Sequence, residues 1–369
     1  MQLFTESVPL WLLSLGHLPP DAIVRGNLIV EPVERRNRGF RVQADNDGIF
    51  VKQIRNPTEE LTQSSQREAA WYRSIAGSAE SSRSPFDELR PLTPRFIDYD
   101  RARFALLIEL LPGAEDLSRV HARSPGSFPT ECAALLGEAL AALHRIPAAC
   151  VPDPSAAQQG PAALQVHHST GDNLVPENPI TRQLHELLAS QPGAVRILDE
   201  LSQRWQPICA VHGDLRWENV LLSSEADGKG RLHVIDWELV AAGDPLWDAG
   251  GVLESYLRSA LASSDNAMTG PDPAVLPAIR EFWSTYASSC RIPYAIESSM
   301  ARVAVQYAAA RFIQSSFEIA AAVDASTEWC IFLLQTGLQL LQSPETVSSE
   351  LSGWSACSAT SMLSDCATS

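Results

Sequence analysis

The sequence is short of cationic residues and has no long apolar run, and each shortage excludes a class of partner. Lys and Arg number 28 against 44 Asp and Glu, which gives a formal net charge of −16. Such a chain has no surplus of cations with which to displace counterions from nucleic-acid phosphates. The apolar stretch 8–15 is too short for a membrane span and follows Glu6 rather than a basic segment. We therefore expect a cytoplasmic protein that binds neither nucleic acid nor membrane.

The patterns that mark disulfide frameworks and zinc sites are also missing. The seven cysteines are scattered and form no CxxC pair, which favours a reducing compartment. His167 and His168 are adjacent, but no third ligand follows at a useful spacing. We interpret them as an ordinary pair of loop residues.

The first 111 residues carry the signals of a small antiparallel sheet with one main helix. A helix is predicted from Thr5 to Gly16, ended by Pro19-Pro20. Strands are predicted over 23–30, 39–43, 48–54, 95–99 and 104–110, with a hairpin turn at 45–48. The segment 64–75 has the pattern of a helix. The length of the chain and this change in pattern predict two domains, the first being 1–111.

The chain beyond residue 111 is predominantly helical in pattern. Apolar residues recur at helical spacing over 131–145, and further helices are predicted over 273–289, 296–322 and 326–342. The segment 147–180, rich in Pro, Gln, Gly and Ala, is predicted to be an insertion with little regular structure. We assign 112–345 to a second domain and 346–369 to a disordered tail rich in Ser, Thr and Cys. The predicted fold class is α+β.

Residues 211–238 contain the groups that a phosphoryl-transfer site requires. A His-x-Asp-x4-Asn loop ends at Asn219, and a short apolar strand then leads to Asp236. We predict Asp214 as the base that accepts the proton of the attacking hydroxyl. Asn219 and Asp236 are predicted magnesium ligands, because carboxylate and amide oxygens suit that ion.

Three neighbours of these residues have predicted supporting roles. Arg216 is expected to neutralise charge on the transferred phosphoryl group, with a solvated arginine as the alternative. His212 is placed in the catalytic set, mainly to brace the loop by hydrogen bonding. Glu238 is expected either to contact a second metal ion or to support its turn, and Asp248 to bind backbone groups of the loop.

A nucleotide also needs a cation on its phosphates, and Lys52 is the candidate. It lies in the strand Ile-Phe-Val-Lys, where alternation turns its side chain away from Val51. Glu68 in the following helix is the predicted partner, while Glu59 and Glu60 are predicted to lie in the preceding connection. The expected glycine-rich loop is replaced by an arginine-rich turn, in which Arg36 and Arg38 are predicted to meet phosphates by side chain; a solvated basic turn is the alternative.

Together these motifs resemble the aminoglycoside phosphotransferase and choline kinase family, a branch of the protein-kinase-like fold. The resemblance rests on His-Gly-Asp-Leu-Arg-Trp-Glu-Asn at 212–219, Ile-Asp-Trp-Glu at 235–238 and Gly-Asp-Pro at 243–245 followed by Asp248. It implies a two-lobed fold with ATP or GTP between the lobes and two magnesium ions. It also implies that 1–111 is the nucleotide-binding lobe, with the base against the backbone from Glu109 to Leu111. Trp217-Glu218 departs from the residues frequent in this family.

Family resemblance leaves the acceptor hydroxyl open. Aminoglycosides, choline, homoserine and sugars are phosphorylated on this scaffold. The arginine-rich stretch is also similar to kinases of lanthipeptide and thioamitide pathways, which phosphorylate Ser and Thr of a ribosomal peptide. Our preferred hypothesis is such a peptide acceptor, with pathway enzymes as possible partners, and the alternatives are a small-molecule kinase or a catalytically silent pseudokinase that serves as a binding module.

The C-terminal tail supplies a separate hint about the acceptor. Ser-x-Cys occurs twice, ending at Cys357 and Cys366, in a segment where Ser and Thr recur. A peptide destined for phosphorylation, dehydration and Cys addition would have this composition. We therefore consider the hypothesis that the tail is a substrate-like peptide in cis, against a low-complexity linker or sequence added for expression.

Overall fold

The computed structural model describes residues 2–24, 26–34, 37–44, 47–77, 84–153, 160–168, 178–224, 230–263, 272–321 and 326–351. The chain forms two compact units. The first combines residues 2–116 with 220–240, and the second combines 117–219 with the chain from 241 onward. The second crossing of the chain into the first unit brings Asp236 into the same unit as Lys52. The boundary at residue 111 stays a prediction.

The first unit is built on a five-stranded antiparallel sheet. Its strands are β1 (Leu28–Glu34), β2 (Arg38–Ala44), β3 (Asp47–Gln53), β4 (Phe96–Asp100) and β5 (Ala105–Glu109), in the order β1-β2-β3-β5-β4. Alternation in β3 buries Val51 with Val42 and Leu107 on one face of the sheet. Lys52 consequently points to the opposite face, as predicted.

Two short N-terminal helices precede this sheet, where the sequence predicted one helix and then a strand. They are α1 (Val8–Ser14) and α2 (Pro20–Val24). Helix α1 ends at Ser14, before Pro19-Pro20 as predicted. Pro20 itself begins α2, because a proline in the first turn lacks only an N–H that has no helical partner there. The strand predicted from residue 23 begins instead at Leu28, after Gly26 with φ of 73°.

Helix α1 closes the apolar face of the sheet. Trp11 and Leu12 pack with Val51 and Leu107 in one buried cluster. The indole Nε1 of Trp11 also donates to Asp100 Oδ2 at 3.1 Å. The helix begins at Val8 rather than Thr5, since the Ser7 hydroxyl donates to Phe4 O and forms the turn before it.

Helix α3 (Glu59–Ala76) is the main helix of the first unit and is longer than predicted. Thr58 caps it by accepting from Leu61 N at 3.3 Å. Glu59 and Glu60 therefore occupy its first turn, where acidic residues complement the helix dipole. Our placement of these two glutamates in the connection was wrong.

A second, three-stranded sheet completes the first unit. It contains β6 (Glu115–Asp116), β8 (Val220–Ser224) and β9 (Gly230–Val234) in the order β6-β8-β9. Strand β9 leads directly into the turn that holds Asp236. The hairpin β8-β9 is therefore the element that positions the predicted metal ligand.

The second unit is mainly helical. Its helices are α4 (Leu117–Ala122), α5 (Thr130–His144), α6 (Pro179–Ala189), α7 (Pro192–Gln203), α8 (Leu246–Ser263), α9 (Leu276–Ser289), α10 (Tyr294–Ala320) and α11 (Thr327–Gln342), and strands β7 (Cys209–Val211) and β10 (Ala241–Gly243) pair antiparallel. The predicted helices at 131–145, 273–289, 296–322 and 326–342 are confirmed to within a few residues. Helix α8 was missed, although it carries Asp248.

Small residues set the spacing between the helices of this unit. A Cβ on Gly250 of α8 would lie 2.8 Å from Ala308 N, and one on Gly337 of α11 would lie 2.8 Å from Ala309 O. Alanines 301, 304, 308 and 309 of α10 are fully buried. Three helices therefore approach one another at backbone contact along α10.

The C-terminal boundary differs from the prediction in part. Residues 345–351 are helical and Leu351 is buried, so the disorder predicted from residue 346 is wrong for 346–351. The rest of the tail, 352–369, lies outside the described residues, as do 154–159 and 169–177 of the predicted insertion. Within the described part of the chain, every helix is too short or too polar to span a lipid bilayer.

Gly137 in α5 gives a test of the close helix packing. A Cβ there would lie 2.8 Å from Phe282 O and 3.0 Å from Tyr286 N of α9. Because backbone atoms cannot move aside without separating the helices, we expect Gly137→Ala to lower the free energy of unfolding by about 2 kcal/mol. Urea denaturation followed by circular dichroism measures this change.

Gly193 is the matched control, because a Cβ added there meets nothing within 4 Å. It lies in the first turn of α7, where alanine suits the helix better than glycine. Gly193→Ala should therefore leave stability unchanged or slightly raised. Equal stability of the two variants would contradict the packing argument.

Candidate active site

Lys52 lies among three carboxylates in the first unit, and we call these four residues the Lys52 cluster. Its ammonium nitrogen is 2.8 Å from Glu68 Oε2 and 3.2 Å from Glu238 Oε2, and it also contacts Asp236 Oδ1. The predicted pairing of Lys52 with Glu68 is thus confirmed. Burial disfavours the charged ammonium, but the three carboxylates outweigh it and raise the pKa of Lys52 above its ordinary value.

Glu68 is the most buried acid of the cluster, with 2% of its surface exposed on α3. Burial raises the pKa of this carboxyl to about 7, against the opposing charge of Lys52. Two further carboxylates, on Asp236 and Glu238, share the same ammonium. The cluster therefore gathers three carboxyl groups around one ammonium.

The turn after β9 fixes two of the carboxylates. Asp236 adopts a left-handed backbone conformation, with φ of 67° and ψ of 54°, which is uncommon for residues other than glycine, asparagine and aspartate. Trp237 is fully buried and its Nε1 donates to Val234 O at 3.1 Å. Buried packing of the indole holds the turn in this conformation.

Helix α3 also binds this turn by hydrogen bonds from two residues that were not predicted from the sequence. Ser64 Oγ and Arg67 Nη2 both donate to Glu238 O, at 2.7 and 3.0 Å. Their positions in the helix, four and one residues before Glu68, place them on one side of it. The sequence could have suggested them only through their position on the same side of α3 as Glu68.

The arginine-rich turn is arranged differently from the prediction. Asn37 Nδ2 donates to Glu238 Oε2 at 3.3 Å, whereas Arg38 donates to Leu3 O at 2.9 Å and lies over the Phe4 ring. These contacts favour a structural role for Arg38. Arg36 lies outside the described residues, so its contact with phosphates stays a prediction.

The segment predicted to meet the nucleotide base is the end of β5. Glu109 N and Leu110 N donate to Arg95 O and Gly48 O, at 2.8 and 2.9 Å. Glu109 and Leu111 line a cavity of about 640 Å³ together with Tyr72 of α3. None of the Lys52 cluster lines it, so this cavity is separate from the cluster, and the base contact stays a prediction.

The carboxylate of Asp248 organises the His-Gly-Asp loop in the second unit. It is 1% exposed, and its two oxygens accept from His212 N at 2.6 Å and from Gly213 N at 3.0 Å. Trp247 Nε1 donates to Gly213 O at 2.8 Å. The prediction that Asp248 binds backbone groups of the loop is confirmed.

Positive φ at one glycine completes the loop. Gly213 has φ of 83°, a conformation that glycine adopts without steric cost. His212 is fully buried, and its Nδ1 accepts from Asp214 N at 3.3 Å. This contact supports the bracing role, while a part for His212 in the chemistry stays a prediction.

Asp214 is held by two arginines, and we call Asp214, Arg216, Arg311 and Asn219 the Asp214 cluster. Arg216 Nη2 and Arg311 Nη2 each donate to Asp214 Oδ1 at 2.6 Å. Burial disfavours the ionised carboxyl, but the charges of Arg311 and Arg216 outweigh it, so the pKa of Asp214 lies below its ordinary value. Asp214 is therefore ionised at neutral pH.

The two oxygens of Asp214 differ in their surroundings. Oδ1 takes the bonds of both arginines, whereas Oδ2 has a contact of 3.5 Å from Asn219 Nδ2. Asn219 Nδ2 also donates to Asp214 O at 2.9 Å, which directs its amide oxygen away from this carbonyl. Among the described residues, Oδ2 therefore accepts fewer hydrogen bonds than Oδ1.

Arg216 and Arg311 were treated unequally by the sequence analysis. Arg216 was predicted to meet the phosphoryl group, but its guanidinium binds Asp214 and, at 3.2 Å, Glu318 Oε2. Arg311 was missed because it lies 97 residues from Asp214. The sequence did offer one signal, which is an arginine among the apolar residues of α10. In the structure this arginine is 3% exposed.

The comparisons with known proteins agree with these motifs. The chain belongs to the phosphotransferase enzyme family, whose sequence model matches residues 30–287, well over half of the chain. The resemblance to aminoglycoside phosphotransferases and choline kinases is confirmed, while the peptide-kinase branch stays a prediction. A search of curated protein sequences found no match.

Solved kinase structures share the fold. Ethanolamine kinase from Plasmodium vivax is 10% identical and superposes with a TM-score of 0.57, over 92% of this chain and 87% of that one. Choline kinase LicA from Streptococcus pneumoniae is 14% identical with a TM-score of 0.51, over 92% and 98% of the two chains. A microcompartment-associated aminopropanol kinase is 17% identical with a TM-score of 0.51, over 93% and 98%. The predicted α+β, kinase-like fold class is confirmed.

Replacing Asp248 tests how strongly the loop depends on it. In Asp248→Ala, two backbone N–H groups lose their acceptor in a buried position. We expect the free energy of unfolding to fall by about 3 kcal/mol, with a smaller loss in Asp248→Asn, which keeps one acceptor oxygen. Urea denaturation gives these values.

Glu186 provides the control, since it is an exposed acid on α6. Glu186→Ala should change the free energy of unfolding by no more than about 0.5 kcal/mol. If Asp248→Ala were as stable as Glu186→Ala, the carboxylate would not be what organises the loop.

Proposed function

We propose that this phosphotransferase is a kinase that moves the γ-phosphoryl group of ATP to a hydroxyl group of its acceptor. The observation that carries the proposal is the arrangement of the Asp214 carboxylate. Its Oδ1 accepts hydrogen bonds from two arginines, whereas Oδ2 has a contact of 3.5 Å from Asn219 Nδ2. This arrangement fits a group that orients an attacking hydroxyl. Nucleotide choice between ATP and GTP, and a cytoplasmic location, rest on the sequence alone.

The Lys52 cluster has the chemistry of a site for nucleotide phosphates. Its ammonium is charged, buried and oriented by Glu68 at 2.8 Å, which is what a phosphate-binding lysine requires. The carboxylates of Asp236 and Glu238 add negative charge that a divalent cation would balance. Oxygen donors of this kind suit magnesium, and the cluster therefore fits that ion.

We propose Asp236 and Glu238, which belong to the same unit, as magnesium ligands. The ligand role of Asn219 in the second unit stays a prediction from the sequence. Magnesium, when bound, would neutralise charge on the nucleotide phosphates. Glu68 and Asn37 keep the carboxylates and the ammonium oriented in its neighbourhood. The left-handed turn at Asp236 fixes the direction of that carboxylate before any nucleotide binds.

Asp214 acts on the acceptor in the proposed reaction. The acceptor O–H donates a hydrogen bond to Oδ2, and its oxygen attacks the γ-phosphorus while the bond to the β–γ bridging oxygen breaks. The electron pair of that bond leaves on ADP, and the acceptor proton passes to Asp214. Because the pKa of Asp214 is lowered by Arg311 and Arg216, the proton moves late and most of the effect comes from orientation.

We propose a small hydroxylated amine as the acceptor. Three kinases that share the fold are named for substrates of this kind, which are ethanolamine, choline and aminopropanol. A chain with a net charge of −16 attracts cationic substrates over longer distances. The second candidate is Ser or Thr of a peptide, favoured by the Ser-x-Cys repeats of the C-terminal tail.

Replacing Asp214 tests its role as the base. Asp214→Asn keeps the size of the side chain and removes the proton acceptor, so we expect kcat to fall by about 10³-fold. The KM for ATP should change little, because the residue acts on the acceptor. A coupled assay of ADP release measures both constants.

The control is Glu186→Gln, which removes one negative charge from an exposed position of the same unit. It should turn over like the unaltered chain. A kcat for Asp214→Asn close to that of the control would exclude Asp214 as the base.

A panel of acceptors decides between the two candidate substrates. ADP release with magnesium and ATP is measured for ethanolamine, choline, aminopropanol and an aminoglycoside, against Ser/Thr-rich peptides including one with the sequence 348–369. We expect turnover with a small amino alcohol. Turnover confined to peptides, or phosphate appearing in 348–369 of the intact chain by mass spectrometry, would overturn the proposed acceptor.

A further inference from the structure

The second unit contains a group of metal-binding side chains that the proposed reaction does not use. His167 and His168 end a 3-10 turn over residues 162–168, and Asp199 lies on α7. The Nε2 atoms of both histidines lie 2.9 Å from the same oxygen, Oδ1 of Asp199. Sequence spacing alone had suggested an ordinary loop pair, because the third member is 31 residues further on.

We propose that His167, His168 and Asp199 bind a zinc ion. Two imidazole nitrogens and a carboxylate oxygen form a donor set that zinc accepts with three protein ligands. One ligand atom from each residue lies within 4.8 Å of the others. The proposal is independent of the proposed kinase function, because it involves other residues and another kind of ion.

The geometry needs only a small adjustment to accept the ion. Zinc bonds of about 2.0–2.1 Å at tetrahedral angles place ligand atoms about 3.3 Å apart. Each Nε2 atom now lies 2.9 Å from Asp199 Oδ1, so each must move about 0.4 Å away from this oxygen. The ligand atoms of the two histidines already lie within 4.8 Å of each other. Rotations of the exposed His168 and half-exposed Asp199 side chains can supply that movement.

The protonation state of His167 also permits coordination. Its Nε2 can bind zinc only if the ring proton is carried on Nδ1. Nδ1 of His167 is buried and has no hydrogen-bond partner among the described residues. No donor of the described residues occupies Nδ1, so this nitrogen can carry the ring proton when Nε2 binds an ion.

Burial divides the site into a fixed wall and an open side. The side chain of His167 is 4% exposed, whereas those of His168 and Asp199 are 64% and 37% exposed. An ion can therefore reach the site from solvent, and water can complete its coordination. Bound zinc would join the 162–168 turn to α7 in place of two hydrogen bonds.

This donor set distinguishes zinc from the magnesium of the Lys52 cluster. Magnesium prefers oxygen ligands in octahedral geometry and binds imidazole weakly. A millimolar concentration of magnesium should therefore not displace zinc from the histidines. Cobalt(II) should occupy the same site and give visible absorption that reports its coordination.

The test is a calorimetric titration of the full, metal-stripped chain with zinc chloride in the presence of magnesium chloride. We expect one zinc ion per chain at this site and a rise in Tm of several degrees, because only the folded chain brings the three ligands together. Asp199→Asn and His168→Ala should each weaken zinc binding at least about tenfold and abolish the rise in Tm. Both alter exposed or half-exposed side chains, and circular dichroism checks that the variants are folded.

Glu200→Gln is the matched control, because it removes the same charge from the next residue of α7. It should bind zinc like the unaltered chain. The cysteines of the chain are competing ligands, and zinc bound equally tightly by Asp199→Asn and His168→Ala would place the ion elsewhere. That result, or no zinc binding by the unaltered chain, would overturn the proposal.

Discussion

One buried carboxylate determines the shape of the loop on which the second unit's chemistry depends. Asp248 accepts the N–H groups of His212 and Gly213 at the same time, and it can do so because α8 holds it beneath the loop. Two N–H donors that point the same way force a tight bend, and glycine at its centre accepts the positive φ. Asp214 directly follows this bend, so the backbone of His212 and Gly213 sets the direction of its side chain. The loop is therefore preorganised both by its support from α8 and by the glycine in its own sequence.

The two clusters have opposite arrangements of charge. In the Lys52 cluster one ammonium contacts three carboxylates. In the Asp214 cluster two guanidinium groups face one carboxylate, and they keep it ionised despite burial. The first arrangement surrounds a positive charge with carboxylates, and the second surrounds a negative charge with guanidinium groups. Both need partners supplied by distant parts of the chain, because isolated buried charges are too costly to form locally.

Prediction from sequence succeeded where the information is local. The His-Gly-Asp loop, the strand that carries Lys52 and the pairing of Lys52 with Glu68 all lie within short segments whose periodicity can be read directly. It was wrong near the N-terminus, where a strand was predicted from residue 23 but Pro20 begins the short helix α2 instead.

The missed residues depend on packing rather than on local pattern. Arg311 of α10 meets Asp214 in the His-Gly-Asp loop, and Asp199 of α7 meets the turn over 162–168, so each contact joins segments that are separate in the sequence. Ser64 and Arg67 are unremarkable in sequence, and their role appears only once α3 lies beside the turn at Glu238. Long-range contacts of this kind have no signature in a single sequence. The strongest clue available was charge in an apolar setting, as at Arg311.

The left-handed turn at Asp236 restricts which amino acids can occupy that position. Besides glycine, asparagine and aspartate tolerate this conformation best, and among these only aspartate carries charge. An exchange of aspartate for asparagine preserves the turn and removes only the charge. A folded relative without this carboxylate is therefore a single codon change away, so the proposed metal ligand can be lost during evolution without loss of the structure.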